Sequence, residues 1–94
     1  MRPYVSILIC SRDRRVLLEK IVARLRTLIP AERAEIVVVE ETNHPVPING
    51  TRYVAHPVRN MGFAHARNLA LEQAQGELLI FLDDDVVVPE GWFD

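Results

Sequence analysis

Residues 60–85 read NMGFAHARNLALEQAQGELLIFLDDD. His65, Asn68, Glu72 and Gln75 recur at spacings of three, four and three, one polar stripe of a helix, while Ala66, Leu69, Ala70 and Ala74 form a small-residue face able to lie close to a sheet. Gly76 follows as the expected C-cap. Residues 77–82, apolar after Glu77, then read as a long buried strand that ends directly in Asp83, Asp84 and Asp85. Three consecutive carboxylates repel one another, and a chain that needed only solubility would disperse them among lysines. Set at the end of a buried strand, they imply a cationic partner.

The same grammar extends toward the N-terminus. Residues 4–10 are continuously apolar apart from Ser6, as in a strand covered on both faces. Asp13 is the expected N-cap of a helix in which Leu17, Leu18, Ile21, Val22, Leu25, Leu28 and Ile29 recur at helical spacing, opposite Glu19, Lys20, Arg24 and Arg26. Pro30 stops it. Residues 35–40, EIVVVE, form a second strand rich in β-branched side chains. The segment ETNHPVPINGT, with two prolines and an Asn-Gly pair, is loop and turn, and residues 52–55 are a short strand. Beyond the aspartates, Trp92 and Phe93 are expected to open a further helix and anchor it by burial.

Strand, helix, strand, short strand, helix, strand describes a parallel α/β sheet, a Rossmann-like arrangement whose crossovers are right-handed. The expected strand order is 3-2-1-4 with helices on both faces. A crevice then opens at the carboxyl ends of the first and fourth strands, where open sheets of this kind bind ligands. Cys10, Ser11, Arg12, Asp13, Glu40, Glu41 and the three aspartates all reach that edge. Ninety-four residues make one small domain and exclude a large enzyme. A composition 49% hydrophobic and 26% charged argues against disorder. The net charge of -2, with 11 scattered Lys and Arg, gives no basic stripe for nucleic acid. The single cysteine, Cys10, cannot form an internal disulfide and leans toward a reducing compartment. The first apolar run is too short to span a membrane.

These segments together carry a resemblance. VSILICSRDR after a proline, EIVVVEE, the block of residues 60–85, and VPEGW resemble the N-terminal, nucleotide-sugar-binding half of a family 2 glycosyltransferase with the GT-A fold. The resemblance implies transfer of a sugar from a nucleoside diphosphate, a UDP-sugar foremost, to an acceptor hydroxyl with inversion. It implies Mn2+ or Mg2+ held by Asp85, with Asp83 as the first position of the DXD-type motif and Asp84 reaching the ribose. Glu41 takes the place of an aspartate that reads the base, with Glu40 beside it; Cys10, Ser11 and Asp13 flank that base. Arg67 and Asn68 fall on the ribose-diphosphate side.

The acceptor half and its general base are expected beyond Asp94, so residues 1–94 read as the donor-binding part of a longer domain. The parent enzyme is expected to be cytoplasmic, membrane-peripheral at most. Two departures stand out: Glu40-Glu41 replaces the usual aspartate pair, and residues 42–49 replace the family's Gly-Ser-Thr-Asp stretch and following helix. The alternatives are a non-catalytic nucleotide-binding module of the same fold and a receiver-type phosphoacceptor domain. The second needs a lysine near the C-terminus, and the sole lysine is Lys20. Duller roles also exist for single residues: Cys10 as a small core residue, Asp13 as a cap alone, and Arg67, Asn68 and His65 as solvated helix positions. The fourth strand, apolar yet at an edge, is expected to promote self-association.

Overall fold

The computed structural model describes residues 4–57 and 62–93. Its elements are β1 (Val5–Arg12), α1 (Arg15–Leu28), β2 (Ala34–Glu41), β3 (Arg52–His56), α2 (Gly62–Gln73) and β4 (Leu78–Leu82). The strands form one parallel sheet in the order β3-β2-β1-β4. β1 and β2 are central, which is why they read as unbroken apolar runs: Ile7, Leu8, Ile9, Val37, Val38 and Val39 are all fully buried. Alternate residues feed two cores. Ile7, Ile9, Ile36 and Val38 meet Leu18, Ile21, Val22 and Leu25 of α1 on one face. Leu8, Val37 and Val39 meet Ala66 and Ala70 of α2 on the other, the small side chains letting that helix approach the sheet.

Four local expectations are corrected. Asp13 is not the cap of α1: Arg14 holds that position without a side-chain cap, and Asp13 has φ 54°. β1 runs on to Arg12, and the chain must turn sharply to enter the helix. A short polar residue tolerates the left-handed conformation that this turn requires. Val16 and Leu17, 69% and 40% exposed, lie outside the buried stripe of α1, which is narrower than its apolar composition.

Gly76 is likewise not a C-cap. α2 ends at Gln73, and Ala74 N–H still bonds to Ala70 O. The glycine instead marks a crossing over β1, where its N–H donates to Ser6 Oγ at 2.8 Å and a Cβ would stand 2.7 Å from Ser6 N. Finally, Trp92 and Phe93 belong to a turn closed by Trp92 N–H to Pro89 O, not to a helix, although both pack against the α1-side core as expected. Asn60, the first residue of the block that carries the resemblance, lies outside the described residues.

Candidate functional site

Because all four strands are parallel, their carboxyl ends share one edge, and β1 and β4 deliver their last residues side by side. Ser11 and Asp84 are buried there, 6% exposed each. Ser11 Oγ donates to Asp84 Oδ2 at 2.7 Å, and Arg14 Nη1 donates to Asp84 Oδ1 at 3.2 Å. The acidic segment is thus fastened to the end of β1 and the start of α1. Both Asp84 oxygens are engaged within the protein. Asp83 and Asp85 on either side remain exposed.

A depression of about 380 Å³ lies over this junction, lined by Cys10, Ser11, Arg12, Arg14 and the three aspartates. A neighbouring one of about 320 Å³ is lined by Cys10, Arg67, Phe81, Leu82 and Asp83. Cys10 and Asp83 border both, which makes them two lobes of one cleft. Arg67 also lines the second depression, with its guanidinium 4.9 Å from the Phe81 ring centre, a cation–π contact. Cys10 is half-buried and joins the α2-side core. Burial pushes its thiol above the ordinary range, an effect that Arg67 only partly offsets. Asn68 is exposed on α2.

The two glutamates of β2 part company, as successive strand residues must. Glu40 is buried on the α1 side, accepting from Arg15 Nη1 at 2.8 Å and from the Tyr53 hydroxyl. Burial and the bond to Glu40 raise the Tyr53 pKa. For Arg15, burial disfavours the charge, but hydrogen bonds to Glu19 and Glu40 outweigh it and the pKa rises. Glu40 therefore sits in a closed network, whereas Glu41, on the other side, lies 3.5 Å from Arg12 Nε. Asp13 is an exposed carboxylate 3.8 Å from the same nitrogen. His65 is half-buried rather than solvated: its ring meets His56 edge-on at 5.1 Å.

What the sequence reading left without a role is the cationic half of this edge. Arg12, Arg14 and Arg15 each meet an acidic residue brought by another element: Glu41, Asp84 and Glu40 respectively. The signal was present as SRDRR at the end of the first strand, facing two acidic strand ends. Among the described residues no three His, Cys, Asp or Glu side chains converge as a ready-made metal cage. Asp83 and Asp85 are the exposed members of the triplet, with Arg14 Nη1 3.7 Å from Asp85 Oδ2; carboxylate oxygens are hard donors suited to a divalent cation that takes its other ligands from phosphate and water.

Comparison with known proteins agrees with this architecture. The glycosyl transferase family 2 model matches residues 6–94. The fold is similar to that of the mannosyltransferase PcManGT from Pyrobaculum calidifontis, solved in complex with GDP-Man and Mn2+, with TM-score 0.75 and 24% identity over 95% of this chain and 29% of that one. It is also similar to residues 1–349 of TarS from S. aureus, with TM-score 0.69 and 22% identity over 87% of this chain and 27% of that one. A shorter match, 49% identical over 35 residues, is to an uncharacterized protein of Haemophilus influenzae, covering 37% of this chain and 19% of the relative. The chain spans less than a third of each of these proteins. With the ordered motifs, the 3-2-1-4 sheet and a family match running almost from end to end, the chain belongs to glycosyl transferase family 2 and has the fold of the N-terminal half of a GT-A domain.

Proposed function

We propose that this chain is the donor-binding part of a glycosyltransferase, one that holds a nucleoside diphosphate sugar together with Mn2+ or Mg2+ for transfer to an acceptor hydroxyl with inversion. The observation that carries this reading is the Ser11–Asp84 hydrogen bond. It pins the acidic segment at the mouth of the cleft with Asp83 and Asp85 facing outward. These two carboxylates would hold the metal, Asp85 foremost. Bound there, the cation would neutralise charge on the departing diphosphate, a contribution of roughly several kcal/mol.

The remaining residues position the donor. Arg67, held over Phe81, offers a guanidinium to the diphosphate. Glu41 and Asp13 lie on the side of Arg12 where the base would sit. Glu40, enclosed by Arg15 and Tyr53, supports that wall from beneath rather than touching the nucleotide. Both UDP and GDP are fitting probes, since uridine is the expected base while PcManGT was solved with GDP-Man. The acceptor site and general base are assigned to the rest of a longer domain.

Calorimetric titration with UDP and GDP, with and without Mn2+, tests the reading. Binding should require the metal, and Asp85→Asn should weaken it at least about tenfold, the loss of one charged ligand contact. Equal binding in EDTA would remove the metal role from the aspartates.

A further inference from the structure

Asp84 differs from its two neighbours. Its carboxylate is buried, one oxygen is fixed by Ser11, and the other is bound to Arg14. Arg14 Nη1 lies 3.2 Å from Asp84 Oδ1 and 3.7 Å from Asp85 Oδ2. One guanidinium nitrogen therefore stands between two carboxylates, hydrogen-bonded to the buried one and only near the exposed one. The backbone of Arg14 is anchored, because it caps α1 and its carbonyl accepts from Leu18 N–H at 2.9 Å. Its side chain can redistribute between the two acids without moving the helix.

A cation arriving at Asp85 meets this arrangement. If the guanidinium closed on Asp85, it would occupy the oxygens a metal needs and repel the metal by like charge. The buried carboxylate prevents that, because a desolvated anion holds a cationic donor more strongly than an exposed one does.

We propose that Asp84 is a positioning residue: it retains the Arg14 guanidinium on the buried side of the loop and so leaves Asp85 open to the divalent cation. The inference rests on the metal-dependent donor site proposed above, and it deepens that reading by giving the middle aspartate a task other than ligation or ribose contact.

The test is Mn2+ affinity, read from the electron paramagnetic resonance signal of free Mn2+, for the parent chain, Asp84→Asn, Arg14→Met and the double variant. Thermal melts establish folding in each. Asp84→Asn frees the guanidinium to close on Asp85 and should weaken Mn2+ binding about fivefold, the scale of an exposed ion pair. Arg14→Met should bind at least as tightly as the parent. The double variant should regain parent affinity to within about twofold.

A loss in Asp84→Asn that Arg14→Met does not reverse would show that Asp84 ligates or merely shapes the loop, and would overturn the inference. So would weaker binding by Arg14→Met alone, and that variant decides the matter if Asp84→Asn does not melt cooperatively. Absence of Mn2+ binding by the parent chain would overturn the metal reading itself, and this inference with it. Binding by the parent without the restoring effect would overturn this inference alone.

Discussion

Glu35 shows how a single carboxylate can be fixed by its surroundings. It accepts from Ser6 Oγ at 2.6 Å, from Gln75 N–H at 2.6 Å and from Arg52 Nε at 3.4 Å, and Ser6 in turn accepts from Gly76 N–H. Burial alone would raise its pKa, but the bonds from Ser6, Gln75 and Arg52 outweigh burial and lower it below the ordinary carboxylate value. A depressed folded-state pKa stabilises the fold above the unfolded value, and that contribution is lost as pH falls through the folded one. Glu35→Gln is therefore expected to cost about 2 kcal/mol at pH 7 and to flatten the fall in stability below about pH 4.5. Urea melts from pH 3 to 7 check this, and an unchanged acid slope would contradict it. At this scale the sequence was uneven. The three aspartates were legible because charge interrupts an apolar run. Arg12, Arg14 and Arg15 were not, because their partners sit up to 70 positions away and an arginine near a helix start is ordinarily solvated. Nor was it legible which glutamate of β2 would be enclosed, since that depends on Arg15 and Tyr53 meeting on the α1 side.

All six elements were readable from periodicity, with ends shifted by one or two residues in most cases. The failures were at the joints. Asp13 and Gly76 were assigned as helix caps from residue type, but each is governed by a neighbour in space: the overrun of β1 at one, and contact with Ser6 and Tyr4 at the other. β4 matches its reading as an apolar strand at the sheet edge. Leu78, Leu79 and Phe81 are 51%, 44% and 37% exposed, while Ile80 and Leu82 pack partly into the α1-side core. One side of its backbone pairs with β1 and the other has no strand among the described residues. Such an edge recruits another strand, because pairing satisfies exposed N–H and C=O groups and covers apolar area worth about 25 cal/mol per Å2. We therefore expect concentration-dependent association of the chain in light scattering. Leu79→Lys should reduce it, because Leu79 is exposed whereas Ile80 beside it serves the core. A monomer at high concentration, unaffected by Leu79→Lys, would show that the edge is protected in another way.

Across the whole molecule, the parallel sheet separates two kinds of polar chemistry. The amino edge holds the closed Glu35–Ser6–Gly76 clasp, whose hydrogen bonds are satisfied internally. The carboxyl edge gathers Ser11, Arg14, Asp83, Asp84 and Asp85 around an open cleft. Strand order was legible because right-handed crossovers leave few ways to connect these elements. The cleft's polarity was legible only in its acidic half. No described helix is long and apolar enough to cross a membrane. The central claim is that a divalent cation and a nucleoside diphosphate meet at the carboxyl edge, and Mn2+ offers a direct reading of place. Its unpaired electrons broaden the amide signals of nearby residues in a 15N-labelled chain. Titrated with UDP or GDP present, Mn2+ should broaden Ser11 and Asp83, Asp84 and Asp85 first, and Glu35, Arg52 and Gln75 least. Broadening that begins at the amino edge, or that is uniform over the chain, would contradict the account.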